Sequence, residues 1–187
     1  NSFQNRYLTK SGEVVWLSWT TQTFFEEGKI YSVARDITEQ KELEILLNQA
    51  NRMAKIGGWE YDVVKDEIFW SDVVRDIHKV PKDVEIDIDK GIEFYKEGFS
   101  RETIVQKVNE AIETGRSFDE ELQIITYDGN ERWVRAIGEA EIVGGRVKKI
   151  YGSFQDIHDR KSYEERLKNT TNNLPGIIFQ YILDKEG

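Results

Sequence analysis

Between residues 57 and 157 the hydrophobic period changes several times, and each change marks a new element. "GWEYDV" and "EIFWS" alternate aromatic or branched residues with polar ones, as half-buried strands do, and the polar "VKD" between them reads as a turn. "SDVVRDIH" then shifts to a helical period, with Ser71 at the cap position and Pro81 as the stop. In "SRETIVQKVNEAIETG", Ile104, Val108, Ala111 and Ile112 share one helical stripe, Ser100 suits the cap and Gly115 the C-terminal stop. Residues 118–127, 131–142 and 146–155 return to the strand period. Asp128-Gly129 and Gly144-Gly145 between them are two-residue hairpin signals. Two strands, short helices and a three-strand meander predict an α+β domain built on one antiparallel sheet.

The same patterns recur elsewhere in the chain. "YLTKSGEVVWLSWT" (7–20) matches "IITYDGNERWVRAI" (124–137) at an offset of 117, pairing Gly12 with Gly129 and Trp16 with Trp133. Ile30, Tyr31, Asp36, Ile37 and Lys41 then match Ile150, Tyr151, Asp156, Ile157 and Lys161 at an offset of 120. The three extra residues fall near "VGGRVKK", a turn where insertions are cheap. "WEY" at 59–61 and "FQY" at 179–181 stand 120 apart as well. The repeat unit is therefore about 120 residues, and the chain reads as the tail of one copy, a whole copy and the head of a third, a piece of a longer protein.

Each tail leads into a charged helix. Asp36 with Glu39, and Asp156 with Asp159, have the spacing of a capped helix start, where acids satisfy free amides and favour the positive helix end. Downstream, Leu43, Leu47, Ala50 and Ala54 step by four, three and four, and Tyr163, Leu167, Thr170 and Leu174 repeat those steps. Leu46 and Met53 widen the first stripe. Such a short seam has two readings: a helix laid on its own sheet, or a helix paired in parallel with its twin across a dimer while it joins two domains.

Composition narrows the chemistry. The 187 residues carry a net charge of −9 with scattered basic residues, which argues against a nucleic-acid surface. With no cysteine there is no disulfide, thiolate nucleophile, zinc ribbon or cysteinyl cofactor adduct. No apolar run approaches the roughly 20 residues of a membrane span, so no direct membrane contact is expected and the chain is read as cytoplasmic. His78 and His158 are isolated; His78 reads as a partly exposed helix residue, His158 as a helix-start residue, and neither as a metal or haem ligand. "DVEIDID" (83–89) alternates acids, but Ile88 stands where a calcium loop needs glycine, so it reads as an exposed loop or short edge strand. Glu60, Asp62 and Glu67 belong on a solvated strand face, and no catalytic constellation or phosphate loop is present. The aromatics Phe69, Trp70, Phe94, Tyr95, Phe99, Trp133 and Phe154 are the candidates to line, or simply to fill, a cavity between sheet and helices.

"IGGWEYDV…EIFWSD", "YDGNERWVRAIG" and "GSFQDIHDRK" together resemble the sensory Per-Arnt-Sim (PAS) domain with its C-terminal motif, in the subclass common in bacterial sensor histidine kinases. The resemblance covers 56–161, its tail recurs over 7–41 and its head over 174–187. It implies a five-stranded antiparallel sheet with short helices on one face, tandem copies joined by signalling helices, and a kinase or cyclase output domain further along; the seam, read as a paired helix, adds a homodimer. It also implies a division into a preceding domain's last three strands (1–37), a linker helix (38–56), a complete domain (57–157), a second linker helix (158–174) and a following domain's first strand (175–187). The family's Asp-Ile-Thr joint stands here as Asp36-Ile37-Thr38 and, less faithfully, as Asp156-Ile157-His158. In light-sensing relatives a glutamine contacts flavin two residues before the joint aspartate; Phe154 holds that place, so no flavin or haem is expected, while an unidentified small molecule stays open. Two functions follow: a relay and dimerisation module, or a small-molecule sensor with an open aromatic pocket. The resemblance further implies that the strand over 176–183 could fill the bare edge at 29–35 of a second copy, above the apolar residues Trp16, Trp19, Phe24 and Phe25.

Overall fold

Residues 2–24 and 28–173 are described by the computed structural model, in two units, Asn1–Met53 and a second beginning at Ala54. In the first, β1 (Ser2–Leu8), β2 (Val14–Phe24) and β3 (Lys29–Asp36) form an antiparallel meander in that order, followed by α1 (Thr38–Met53). The strand foreseen over 175–187, with Leu174 and Phe25, lies outside the described residues, and so does the strand exchange built on it.

The second unit opens with the hairpin β4 (Ile56–Asp62) and β5 (Glu67–Trp70). Three helices follow, α2 (Asp72–His78), α3 (Ile88–Glu93) and α4 (Phe99–Thr114). Then come β6 (Phe118–Ile125), β7 (Glu131–Val143), β8 (Arg146–Asp156) and the helix α5 (His158–Asn173). The sheet is five-stranded and antiparallel in the order β5-β4-β8-β7-β6, so the first strand lies beside the last, from Ile56 opposite Gln155 to Asp62 opposite Lys149. This is the α+β architecture expected from the sequence.

Strand alternation divides the sheet's two faces. Gly57, Tyr61, Leu122, Ile124, Val134, Ala136, Ile150 and Phe154 are buried beneath the helices, where Val74, Ile77, Ile104, Val108 and Ala111 meet them. The other face carries ion pairs between strands, Lys149 with Glu60 at 2.6 Å and Arg135 with Asp119. The Arg135 guanidinium holds the Asp119 carboxyl below its ordinary range.

Three local expectations change, and the acidic run takes the loop of its two readings. Helix α4 is capped by Gly98 at a φ of 84°, and Ser100 lies inside the helix, buried, its Oγ accepting the Gln123 amide at 3.0 Å. A half-buried strand amide needs an acceptor, and the hydroxyl supplies it. Helix α2 does begin at Ser71, but it ends at Lys79, which turns left-handed with φ 61°, before Pro81 is reached. The acidic run forms no strand; Asp87 caps α3 by accepting the Lys90 amide at 2.8 Å. The Asp128-Gly129 hairpin is a longer loop, in which the Thr126 amide donates to the Asn130 carbonyl, the Gly129 amide to the Thr126 carbonyl and the Asn130 amide to Thr126 Oγ1. The loop after β1 repeats this pattern through Thr9, Gly12 and Glu13. By contrast, Val143 and Arg146 pair across Gly144 and Gly145, both left-handed, as a two-residue turn requires.

Candidate functional site: an aromatic core cavity and a helix joint

His78 closes α2 and is driven into the core, only 1% exposed. The cause lies in another element. A Cβ at Gly57 on β4 would stand 2.6 Å from Val74 Cγ2 and 2.7 Å from the Val74 amide, so its absence lets α2 settle onto the sheet. The imidazole lies between Trp70 and Phe154, with ring centroids at 4.3 and 4.6 Å, and meets Phe94 edge-on at 5.0 Å. Its Nδ1 lies 2.9 Å from the Val74 carbonyl, while Nε2 is buried with no partner. Burial favours the neutral ring and pushes its pKa down to about 4, against a smaller opposing effect of the Val74 hydrogen bond. The reading of His78 as a partly exposed helix residue is thus overturned.

His78 borders a cavity of about 50 Å³ between sheet and helices. Of the aromatics singled out from the sequence, Trp70, Tyr95 and Phe154 line it. Phe94 stands behind the Trp70–His78 pair, 6.0 Å from the Trp70 ring. Phe69 and Phe99 do not belong to it: they are 63% and 76% exposed. Strand alternation allows only one of Phe69 and Trp70 to face inward, and Phe99 sits where the chain reverses at Gly98. Trp133 lies on the opposite face from its buried neighbour Val134, under the Lys161 ammonium at 5.1 Å. Sequence reasoning missed Trp59, Ile68, Val74, His78 and Phe118 among the lining residues. Trp59 was detectable, since it alternates with Gly57 and Tyr61. Burial pushes the Tyr95 phenol pKa upward.

The second feature is the joint between β8 and α5. Asp156 Oδ1 accepts the His158 amide at 2.9 Å, and Oδ2 pairs with Arg132 at 3.3 Å. The Ile157 amide donates to the Trp133 carbonyl at 3.0 Å, and the Lys161 amide to the Ile157 carbonyl at 3.0 Å. The segment leading into β4 is tied to the same place. The Asp156 amide donates to the Lys55 carbonyl at 3.1 Å, Lys55 Nζ pairs with Asp159 at 2.9 Å, and Gln155 Nε2 donates to the Ala54 carbonyl at 3.4 Å. Lys55 takes a left-handed φ of 53° to make this turn. The chain therefore enters and leaves this unit at one hydrogen-bonded node.

The first unit repeats the backbone bonds of this joint and the aspartate cap. Asp36 Oδ1 accepts the Thr38 amide at 2.8 Å and the Thr38 hydroxyl at 2.6 Å, which lower its pKa. The Ile37 amide donates to the Trp16 carbonyl, the Lys41 amide to the Ile37 carbonyl, and Lys41 Nζ lies 5.9 Å from the Trp16 ring. One difference stands out: Thr38 Oγ1 accepts the Trp16 amide at 2.9 Å, whereas His158 Nδ1 is buried with no partner. Beyond the joints, Leu43, Leu46, Leu47, Ala50, Met53, Ala54, Tyr163 and Leu167 are all exposed, and α1 buries no residue. The alternative of a helix laid on its own sheet therefore falls. Thr170 is likewise exposed, its hydroxyl turned back to the Arg166 carbonyl at 2.8 Å. Among the described residues, no three His, Asp or Glu side chains are grouped to hold a metal, and no helix is long and apolar enough to cross a membrane.

Residues 67–159 match the PAS domain family. With the five-stranded sheet and its helices, this makes the second unit a PAS domain. A curated relative, a blue-light-activated histidine kinase of Brucella anthropi, is 27% identical over 161 residues, 83% of this chain but 32% of the relative. The chain thus spans about a third of that protein's length. Among solved structures, a sensory box histidine kinase/response regulator from Burkholderia thailandensis superposes with a TM-score of 0.56 at 20% identity, covering 67% of this chain and 95% of the other. The N-terminal domain of a diguanylate cyclase with a PAS/PAC sensor from Marinobacter aquaeolei gives 0.52 at 14% identity, covering 57% and 98%. These likenesses show the shared fold.

Proposed function

We propose that the chain is a relay and dimerisation segment of a multi-PAS signalling protein, cytoplasmic, whose kinase or other output domain lies elsewhere in the polypeptide. The observation that carries this reading is the shared node at Asp156, where the incoming segment, the last core strand and the outgoing helix are bonded together. Phe154 stacks on His78 in the core, and two residues later Asp156 anchors α5, so a shift of β8 reaches both linkers at once. On this reading the first unit is the C-terminal part of a preceding PAS domain, which its matching loop and joint bonds support. The exposed leucines of α1 are the faces that pair across a homodimer, because about 0.8 kcal/mol per buried CH₂ is gained only when they meet a partner.

Replacing Leu43 and Leu47 together by Glu is expected to weaken self-association by about tenfold or more in sedimentation velocity. An unchanged mass distribution would place the dimer contact elsewhere. In the full-length parent, inserting seven residues after Leu47 should preserve signal output, while two or four should alter it, because a helix turns about 100° per residue. Equal output from all three insertions would rule out transmission by helix phase.

The core cavity is far below the roughly 300 Å³ or more of an ordinary cofactor pocket, and Phe154 offers the flavin site no hydrogen bond. The purified chain is therefore expected to show no visible absorption band at one equivalent of flavin or haem. A band of that strength, lost on denaturation, contradicts the relay reading in favour of a loaded sensor.

A further inference from the structure

The two joints differ in one side chain, and the difference is chemical. In the first, the Thr38 hydroxyl makes two bonds at once: it donates to Asp36 Oδ1 at 2.6 Å and accepts the Trp16 amide at 2.9 Å. In the second, His158 holds that place, and its Nδ1 is buried with no partner. Both kinds of group that Thr38 serves are present again. Asp156 Oδ1 accepts the His158 amide at 2.9 Å, which brings the carboxylate to this residue. The Trp133 carbonyl takes the Ile157 amide at 3.0 Å, and a strand residue's N–H points to the same side as its carbonyl. The Trp133 amide is therefore aimed at the joint, as that of Trp16 is. A hydroxyl can donate and accept together, whereas an imidazole nitrogen does one or the other, according to its proton.

We propose that His158 makes the β8–α5 joint a proton-operated latch. With Nδ1 bare, the imidazole accepts the Trp133 amide and ties the start of α5 to β7. With Nδ1 protonated, it turns from that amide to the Asp156 carboxylate, and the tie to β7 is released. The α1 joint, built with Thr38, has no such response. Histidine is the side chain whose charge ordinarily changes between about pH 5 and 8, so that is the window to search. Charges stand around the ring on each neighbouring element: Arg132 on β7, Asp156 on β8, Lys55 before β4 and Asp159 on α5. These four pair off as Arg132–Asp156 and Lys55–Asp159, while Arg160 and Lys161 are both taken by Glu121 of β6. A proton on His158 is then the added charge of the node, and it sits at the positive end of α5. The latch stands apart from the relay reading: it is read at the joint itself, whether or not α5 carries a signal.

The test is a titration of the ¹⁵N-labelled chain by NMR from pH 8 to 5.5, well above the value of about 4 at which folded His78 takes its proton. At pH 8 the His158 ring nitrogens should report a bare Nδ1 and a protonated Nε2. As the ring titrates, the Trp133 amide should shift with the same midpoint. It should also lose roughly tenfold in hydrogen-exchange protection, one hydrogen bond's worth, while the Trp16 amide keeps its own. His158→Thr should hold the Trp133 amide protected at both ends of the range. Three results overturn the proposal: a ring whose Nδ1 is protonated at pH 8 or that never titrates in the window, a Trp133 amide that does not follow the ring, or a His158→Thr variant that keeps the native response. If His158→Thr does not fold, the contrast between the Trp133 and Trp16 amides of the native chain decides.

Discussion

Gly152→Val is expected to destabilise the PAS domain by about 3 kcal/mol, the upper end of what forced overpacking typically costs. Gly152 on β8 pairs directly with Gly138 on β7. A Cβ there would overlap the Ile137 carbonyl oxygen and lie 2.8 Å from the Ile137 carbonyl carbon and 3.1 Å from Gly138 Cα. Every one of these atoms is backbone, so no rotamer change relieves the clash; the β7–β8 ladder itself must open. Gly138 is constrained from its other side, where a Cβ would run into the Phe118 ring. The repeat supplies its own control. At the matching positions the first unit carries Thr21 and Ser32, whose hydroxyls lie 3.2 Å apart across the β2–β3 pair. Ser32→Val should therefore cost about 1 kcal/mol or less. Urea unfolding of the two variants measures the contrast, and a Gly152→Val midpoint near that of the native chain would show that the close pairing is dispensable.

The same comparison shows what was legible in the sequence. The strands, the Gly144-Gly145 turn and the joints were readable because each rests on neighbours within a few residues, and because the chain writes the joint twice. The start of α4 was not, since Ser100 looks like a cap locally while its hydroxyl serves an amide on β6, 23 residues away. His78 was misjudged for a similar reason. Nothing within α2 marks it as buried; its place follows from the missing side chain at Gly57 and from Phe154 on the last strand. The cavity list mixed faces: aromatic character was read correctly, but Phe69, Phe99 and Trp133 required the strand register and the Gly98 reversal to be placed. The leucine seam was visible as a period, yet a period says only that a face is apolar. Its exposure in the folded chain is what shows that the face is not laid on the domain's own sheet.

Acidification is expected to remove roughly 3 kcal/mol of stability from the PAS domain between pH 6.5 and about 4, through His78 alone. In the unfolded chain this histidine takes up a proton near its ordinary value of 6.5, whereas in the folded core it resists until about 4. Across that window the unfolded state binds more protons, so stability rises with pH, is complete above 6.5 and falls as the solution is acidified. The cause is geometric. The ring is stacked on Trp70 and Phe154 and flanked by Phe94, none of them able to neutralise an imidazolium. The other titratable side chain on the same cavity is Tyr95, whose phenol is held neutral by burial. The surface carboxylates form a separate window. Asp119, Glu121 and Asp159, held low first by their hydrogen bonds to Arg135, Lys161 and Lys55, lose their contribution only as pH falls below the ordinary carboxylate range. His78→Phe keeps an aromatic ring between its neighbours and removes the titrating group. Urea midpoints at pH 7, 5.5 and 4.5 should thus fall steeply for the native chain and stay nearly level for the variant. Parallel slopes for the two proteins would mean that the acid sensitivity arises elsewhere, and that the buried imidazole takes its proton with the core intact.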